Sequence, residues 1–179
     1  MKRIFFIFIS CIILALQCSC SDNNSKNIMP PIVFSFNQYN PSNPIPYDSW
    51  IIDCAGNVYH SNNTSPNLNQ NIPSDYKKID TINQSIINNQ YKIVQQIISC
   101  NDYEITPFEI DDPVPNINPG YKEWTAQGYN QNNELVTIIL YKEDFYPYYS
   151  NNPYSRGLSD WITDVISQYD DFMPIYYIY

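Results

Sequence analysis

The sequence predicts an α+β fold, in which two amphipathic helices pack against a largely antiparallel sheet of about five or six strands. Short β-prone runs occur in pairs around turn-forming residues, which is typical of antiparallel hairpins. Two longer segments repeat apolar residues every three to four positions, which is typical of helices that bury one side. Strands grouped before each helix favour an antiparallel layering over alternating parallel units.

The first part of the chain is predicted to be a tether. Residues 20–48 are rich in Asn, Ser and Pro, and five prolines from Pro30 to Pro46 prevent a helix. Within them, the apolar run at residues 32–36 is a candidate first strand, so the folded domain is expected to begin either there or at Trp50. Residues 49–179 are predicted to form a single domain, because the chain is 44% hydrophobic and long enough to bury a core.

The domain is predicted to open with a hairpin. The β-prone residues 50–53 and 58–60 lie on either side of Gly56, which supplies the positive φ angle that a tight turn needs. A polar loop with two prolines follows at residues 61–74. The sequence therefore predicts a β-hairpin over residues 50–60.

Residues 80–100 show the clearest helical pattern in the chain. Apolar side chains recur at helical spacing, and neither Gly nor Pro interrupts the segment. Asp80 or Thr81 is predicted to cap the first turn by accepting a backbone N–H bond. Four prolines at residues 106–119 cannot continue a helix, so that segment is predicted to be an irregular crossover.

A second hairpin is predicted after the crossover. Residues 121–129 and 134–141 are β-prone and are separated by an Asn/Gln tetrapeptide that favours a turn. Residues 135–140 are almost entirely apolar. A strand of that composition is typical of the centre of a sheet with a helix over one side.

The last third of the chain is predicted to contain a loop at residues 142–154, a helix, and a terminal strand at residues 175–179. Ser155 or Ser159 is predicted to cap the helix. Its buried stripe is predicted to consist of Leu158, Trp161, Ile162, Val165, Ile166 and Tyr169.

The start of the chain has the features of an export signal. Lys2 and Arg3 precede an apolar run at residues 4–16, which is the length of the central region of a secretory signal. A membrane-spanning helix needs about 20 apolar residues, and this run ends at Gln17. We therefore expect the segment to be removed after export.

The residues after the apolar run resemble the processing site of Gram-negative, Bacteroidota-like bacterial lipoproteins. The small residue Ser19 precedes Cys20, and a polar stretch follows at residues 21–25. The resemblance implies cleavage after residue 19, a diacylated Cys20 as the first mature residue, and anchorage in the outer membrane. The alternative is an ordinary secretory signal cut near residues 19–21, which would leave a soluble secreted protein.

The charge of the chain argues against nucleic acid as a partner. The formal charge is −9, with 9 basic and 18 acidic residues, and loss of Lys2 and Arg3 would leave 7 − 18 = −11. Such a surface repels phosphate backbones, and no basic patch offsets it. The partners predicted instead are the membrane, through the lipid, and a protein of the cell envelope.

Two cysteines stay in the domain if Cys20 carries a lipid. Cys54 and Cys100 form an even pair in an oxidising compartment, where a disulfide between them would contribute about 4 kcal/mol by closing a long loop. The alternative is that both are small buried apolar residues. No metal or other cofactor is predicted, because neither cysteine has a C-x-x-C spacing and His60 is the only histidine.

The search for catalytic residues centres on His60. Cys54 lies six residues before it across the predicted hairpin, and Asp53 is a candidate to orient the imidazole ring. No family signature surrounds them, so a histidine at a strand end is the simpler interpretation. The acid pairs at residues 111–112, 143–144 and 170–171 match no calcium loop and are interpreted as solvated charge.

A loop rich in Tyr and Pro is the candidate binding surface. Aromatic side chains on a stiff loop offer a large contact area with little conformational entropy to lose. The alternative is that they cover a sheet edge. The tyrosines concerned are Tyr146, Tyr148, Tyr149 and Tyr154.

These observations predict a lipid-anchored, non-enzymatic protein-binding module of the cell envelope. An immunity or inhibitor lipoprotein that neutralises a toxin or protease is one concrete version, because an acidic domain attracts a basic target. A carbohydrate-binding accessory lipoprotein with Tyr and Trp platforms is the alternative. A small hydrolase that depends on His60 is a third hypothesis.

Overall fold

A computed structural model of the chain describes residues 28–40, 45–62, 72–101, 103–107, 120–143 and 147–169. Within these residues, eight strands form one antiparallel sheet and two helices pack against it. The strands are β1 (Ile32–Tyr39), β2 (Pro46–Asp53), β3 (Asn57–Ser61), β4 (Lys77–Thr81), β5 (Ile105–Pro107), β6 (Tyr121–Tyr129), β7 (Leu135–Glu143) and β8 (Pro147–Ser150). The helices are α1 (Gln84–Cys100) and α2 (Pro153–Ile166).

The α+β class is confirmed, and the sheet is larger than the predicted five or six strands. Both predicted hairpins form, as β2–β3 and β6–β7. The additional strands are β4, β5 and β8, which lie in segments predicted to be loops, a helix start or a crossover. Each of them pairs at or near an edge of the sheet, where the sequence need not alternate between apolar and polar residues.

The strands lie side by side in the order β4-β3-β2-β1-β6-β7-β8-β5. Strand β1 is therefore in the interior of the sheet, paired with β2 on one side and β6 on the other. Its apolar residues Val33, Phe34 and Phe36 are fully buried. Burial of these side chains stabilises β1 as part of the folded domain, although the segment was predicted to belong to the tether. The folded domain begins before β1, and not at residue 49.

The β2–β3 turn is stabilised by one carboxylate. Asp53 accepts hydrogen bonds from the backbone N–H groups of Ala55 at 2.9 Å and Asn57 at 2.8 Å, and from the Asn57 side chain at 2.8 Å. Gly56 has a φ angle of 82°, as the predicted tight turn requires. The carbonyl of Gly56 then accepts the Ile82 N–H at 2.8 Å, which positions the start of α1.

Helix α1 begins later than predicted, because β4 occupies residues 77–81. The cap is Asn83, whose side chain accepts the Ser85 N–H at 2.8 Å, and not Asp80 or Thr81. The carboxylate of Asp80 instead accepts the Thr81 N–H at 2.6 Å and the Tyr169 hydroxyl at 2.8 Å.

Helix α2 also begins at an unpredicted cap. Asn152 accepts the Tyr154 N–H at 3.0 Å, and Pro153 occupies the first helical position, where its missing N–H costs nothing. Ser155 and Ser159 are buried inside the helix. The predicted stripe is confirmed for its four aliphatic members, which are Leu158, Ile162, Val165 and Ile166.

Both helices pack against the same face of the sheet. Phe34 makes an edge-to-face contact with Trp161 of α2, at 5.0 Å between ring centroids. The Trp124 indole N–H donates to the Thr163 hydroxyl of α2 at 2.9 Å. A side chain at Gly128 would meet Val94 and Ile98 of α1. The main core lies in this layer, and the other face of the sheet carries no helix of the described chain.

Several predicted features lie outside the described residues. They are the export signal with Cys20, the terminal strand at residues 175–179, and most of the loop at 61–74 and of the crossover at 106–119. Among the residues that are described, no helix is long and apolar enough to cross a membrane.

Candidate functional site

The helix-free face of the sheet is polar at its centre. Side chains alternate along β1, so Ser35, Asn37 and Tyr39 point away from the helices while Phe34 and Phe36 point toward them. The neighbouring strands are in register with these positions and place hydroxyl-bearing side chains beside them. This face is therefore the part of the sheet where polar chemistry is concentrated.

Five buried polar side chains on this face form what we call the polar chain. The Tyr76 hydroxyl donates to Ser49 Oγ at 2.7 Å, and Ser49 Oγ donates to Asn37 Oδ1 at 2.5 Å. Asn37 Nδ2 donates to Ser35 Oγ at 3.4 Å, and that hydroxyl shares a bond with Thr125 Oγ1 at 2.6 Å. Each side chain of the polar chain forms a hydrogen bond with its neighbour. These bonds offset the cost of burying polar groups in the sheet.

A cluster of aromatic rings continues this face toward the end of β1. Tyr39 and Tyr121 are stacked, with ring centroids 4.2 Å apart and planes 16° apart. The ammonium group of Lys142 lies 4.5 Å from the centroid of Tyr121 and 5.8 Å from that of Tyr148. We call Tyr39, Tyr121, Glu123, Lys142 and Tyr148 the tyrosine patch.

The register of four neighbouring strands brings the tyrosine patch together. Tyr39 of β1 is directly opposite Tyr121 of β6, and Glu123 of β6 is opposite Lys142 of β7. Lys142 is in turn opposite Tyr148 of β8. Directly opposed residues point to the same face of a sheet, so these five side chains share one surface.

Burial controls the ionisation of the patch. Burial raises the pKa of the Tyr39 and Tyr121 hydroxyls, and the nearby Glu123 carboxylate raises both further. These hydroxyls therefore stay protonated and able to donate hydrogen bonds at physiological pH. Burial also raises the pKa of Glu123, and the Lys142 ammonium acts in the opposite direction.

The raised pKa of Glu123 predicts a pH-dependent effect of the substitution Glu123→Gln. A carboxyl group whose pKa is raised on folding stabilises the fold below its ordinary pKa of 4.5 and loses that contribution as the pH rises through the folded value. The variant should therefore gain stability relative to the parent chain as the pH rises above 4.5. Urea unfolding of both proteins below and well above that pH measures the difference.

A matched control for this experiment is Glu104→Gln, which removes one negative charge from an exposed side chain. It accounts for the general effect of lowering the net charge. An equal stability difference between Glu123→Gln and the parent at both ends of the pH range would contradict the prediction.

The predicted binding tyrosines do not form one loop. Tyr148 lies in β8 and belongs to the patch, and Tyr149 is the next residue of that strand, paired with Tyr141 of β7. Tyr154 is 49% exposed in the first turn of α2. Tyr146 lies outside the described residues.

Sequence analysis missed four members of the patch that join Tyr148, namely Tyr39, Tyr121, Glu123 and Lys142. Tyr39 and Tyr121 each lie at the end of a β-prone run, which is a weak signal. Their proximity depends on the pairing of β1 with β6, and no local pattern in the sequence specifies that pairing.

The structure does not bring Cys54 and Cys100 together. Both are free thiols, Cys54 partly buried in the β2–β3 turn and Cys100 exposed as the last residue of α1. Gln84, the first residue of α1, donates to the Cys54 carbonyl at 2.8 Å, so the two cysteines lie near opposite ends of the helix. That helix is about 24 Å long, and a disulfide needs Cα atoms roughly 4.4–6.8 Å apart.

His60 is paired with a different acid from the one considered in the sequence. Its Nε2 atom lies 2.6 Å from Asp48 Oδ1, and its ring stacks on Trp50 with 4.1 Å between centroids. The Asp53 carboxylate binds the backbone N–H of Asn57 in the β2–β3 turn. His60 lies three residues beyond Asn57 along β3, opposite Trp50 of β2. The geometry holds His60 as a structural contact and does not assemble a Cys54–His60 pair with Asp53.

The acid pairs give no metal centre among the described residues. Glu143 forms an ion pair with Lys122 at 3.6 Å. Asp144 and the pairs at residues 111–112 and 170–171 lie outside the described part of the chain. Across the part that is described, no three His, Cys, Asp or Glu side chains are grouped closely enough to hold a metal ion.

Comparison of the chain with protein-family models, with curated proteins and with solved structures gives no match. The interpretation of the tyrosine patch therefore depends on its own geometry.

Proposed function

We propose that this chain is an exported lipoprotein that is anchored through Cys20 and binds a protein partner at the cell envelope without catalysing a reaction. The tyrosine patch is the observation that supports this proposal. It presents three aromatic rings, an ammonium group and a carboxyl group on one helix-free surface.

The patch has the physical properties of a preorganised contact surface. The Tyr39 and Tyr121 rings are already stacked, and Lys142 is held against Tyr121 and Tyr148, so little side-chain entropy remains to be lost on binding. Tyrosine contributes a large apolar area and a hydroxyl donor in one side chain, which is why it is enriched in protein interfaces.

A protein partner fits this arrangement better than a glycan. A sugar ring stacks on an open aromatic face, but the Tyr121 ring is already stacked on Tyr39 and has the Lys142 ammonium 4.5 Å from its centroid. A partner is therefore expected to contact this ring through its edge and its hydroxyl group. Edges and hydroxyls suit contacts with peptide groups and side chains more than with the flat face of a sugar.

The position of the patch also suits a partner that approaches from the side opposite the membrane anchor. The described chain enters β1 at Ile32, and the patch lies at the other end of that strand, at Tyr39. Seven residue steps along a strand span about 23 Å. A lipid anchor upstream of β1 would therefore leave the patch on the side of the domain away from the anchor.

Truncation of the patch tests the proposal. Tyr121→Ala and Tyr148→Ala should each weaken partner binding at least about 30-fold, the effect of removing an interface hot spot worth about 2 kcal/mol. The measurement is capture of the tagged full-length protein from its native envelope, with quantitative mass spectrometry of the proteins recovered. Tyr154→Ala is the matched control, because Tyr154 is exposed on α2 away from the patch.

A partner recovered by the parent chain and by Tyr154→Ala but lost with both patch variants supports the proposal. Equal recovery with all four proteins would place binding elsewhere and contradict it. Mass spectrometry of the N-terminal peptide in the same sample tests the lipid, since an unmodified Cys20 contradicts anchorage. Recovery of glycan in place of protein would favour the carbohydrate-binding alternative.

An immunity or inhibitor lipoprotein is the concrete version of this function that charge supports. A chain with a formal charge of −9 attracts basic proteins and speeds their encounter. Deletion of the gene should then sensitise cells to a toxin of neighbouring strains or to one of their own proteases. Unchanged sensitivity to both would contradict this version while leaving partner binding itself to be judged by the capture experiment.

A further inference from the structure

The described chain enters the domain beside helix α1. The carbonyl of Ile28 accepts the Tyr91 hydroxyl at 3.0 Å, and Tyr91 is a buried residue of α1. Met29 packs against the main core, and the carbonyl of Pro31 accepts the Cys54 N–H at 3.0 Å. The first described residue, Ile28, therefore lies beside α1.

Helix α1 lies across one end of the sheet. It starts beside the β2–β3 turn, where the Ile82 N–H donates to the Gly56 carbonyl at 2.8 Å. Further along, Val94 and Ile98 pack against Gly128, near the end of β6. Strand β1 begins at the same end of the sheet, because Ile32 is paired with Asp53. The tyrosine patch is at the opposite end.

The composition of α1 differs from that of the rest of the chain. Its 17 residues include no Asp or Glu and one basic residue, Lys92, although the chain has 18 acidic residues. Helix α2, by contrast, includes Asp160 and Asp164 in 14 residues. The exposed side of α1 therefore carries no acid, and Lys92 is its one charged residue.

Exposed apolar side chains lie at this end of the domain. Ile28 is 61% exposed where the chain enters, and Ile86 is 42% exposed in the first turn of α1. Leu135, at the start of β7 and opposite Tyr129, is 36% exposed. The exposed acids at this end lie outside the helix, at Asp80 in β4 and at Glu134 beside Leu135. The helix surface itself carries no acid, and an acid-free surface with an exposed isoleucine suits contact with lipid headgroups, because anionic headgroups repel acidic side chains.

The length of the preceding segment limits how far this surface can lie from a lipid on Cys20. Seven residues separate Cys20 from Ile28. At no more than about 3.6 Å per residue, eight steps span at most about 29 Å, and any conformation short of full extension brings Ile28 nearer to the anchor.

We propose that the outer surface of α1, together with Ile28, rests against the headgroup layer of the membrane that holds the lipid. This inference rests on the proposed function, because it requires the anchor at Cys20. The occupant of the surface is the phospholipid headgroup region, argued from the position and length of the preceding chain and from the absence of acids on the helix. Contact there directs the tyrosine patch away from the membrane.

Site-specific fluorescence on the reconstituted lipoprotein tests this orientation. The full-length gene is expressed, and the protein is purified from membranes and reconstituted in vesicles of phosphatidylethanolamine and phosphatidylglycerol that contain headgroup-linked quencher. The background is Cys54→Ser with Cys100→Ser, checked by circular dichroism for the parent spectrum. An environment-sensitive fluorophore is attached to Ile86→Cys or, as the matched control, to Tyr47→Cys, which replaces a side chain that is 40% exposed at the patch end of β2.

We expect quenching of the Ile86→Cys probe to be at least threefold stronger than that of the Tyr47→Cys probe. Adding acids to the outer surface, as Asn89→Glu with Gln96→Glu, should reduce that ratio toward one, because both positions are partly or fully solvent-facing on α1. A ratio near one in the protein without these acids overturns the inference. A ratio that the two acids leave unchanged overturns the role given to the acid-free helix.

Mass spectrometry of the N-terminal peptide separates the two possible failures. An acylated Cys20 with equal quenching of the two probes overturns only the orientation and leaves the proposed function standing. An unmodified Cys20 overturns the anchor in the proposed function and the orientation with it.

Discussion

Substitution of Gly56 with alanine is expected to lower the free energy of unfolding by about 2–4 kcal/mol. The φ angle at Gly56 is 82°, a conformation that costs an L-amino acid about 1–2 kcal/mol. A Cβ atom there would also overlap the carbonyl oxygen of Ile82, which is backbone and has little freedom to move away. The clash lies at the contact that sets the start of α1, so both the hairpin and the helix are affected.

Gly157→Ala is the matched control for this substitution. Gly157 is inside α2, and an added Cβ atom would have no neighbour within 4 Å. Alanine is favoured over glycine in a helix by roughly 0.5–1 kcal/mol, so this variant should be slightly more stable than the parent. Urea denaturation of the three proteins measures both effects, and a Gly56→Ala variant as stable as the parent would contradict the prediction.

Replacing Asn37 with leucine is expected to cost about 2–4 kcal/mol, because it breaks the polar chain at its centre. The Asn37 side chain accepts a bond from Ser49 and donates one to Ser35, and it is only 3% exposed. Leucine has a similar size but can do neither. The Ser49 hydroxyl then stays buried without the acceptor that Asn37 provides in the described chain, and an unsatisfied buried donor is more costly than the loss of the bond itself.

A combined variant distinguishes lost hydrogen bonds from poor packing. Asn37→Leu with Ser49→Ala and Tyr76→Phe removes all three linked polar groups together and leaves no stranded partner among them. It should be less destabilised than the sum of its single substitutions, since these neighbours are coupled. Additive losses would show that packing, and not polar pairing, sets the cost. Asn89→Leu, on the exposed surface of α1, controls for the same change outside the core.

The elements that were predicted correctly are those with strong local signals. Gly56 between two β-prone runs indicated the β2–β3 hairpin, and the spacing of isoleucines indicated α1. Strand β4 has no such signal, because all five of its residues are exposed and an edge strand needs no apolar alternation. Strand β1 was underestimated because its short apolar run at residues 32–36 is surrounded by the prolines typical of a tether.

The helix starts show the limit of local capping rules. Asp80, Thr81 and Asn83 are all competent caps within four positions, and the sequence alone does not rank them. The choice depends on distant residues, since Tyr169 binds Asp80 across 89 positions of the chain. The start of α2 was misjudged for a similar reason, because Asn152 takes the cap position predicted for Ser155 or Ser159 and Pro153 suits the first helical position after it.

The candidate site was predictable only in part. Tyr148 drew attention through the local density of tyrosines, but Tyr39 and Tyr121 are 82 positions apart in the sequence and meet only in the folded sheet. Lys142 became part of the site because its ammonium group lies over two rings, which a sequence pattern does not encode. Long-range register decides which residues share a surface, and register is specified by the whole core.

The pairing of β1 with β6 has a consequence for how the chain folds as it is made. Strands β1 to β4 are neighbours in both sequence and sheet, so they can associate as soon as residue 81 is available. The other edge of β1 stays unpaired until β6, residues 121–129, has been synthesised. Between residue 81 and residue 121 the ribosome adds about half as many residues as it had already made. During that interval an apolar strand displays unpaired backbone groups, which makes it the point at which a stalled or truncated chain would aggregate.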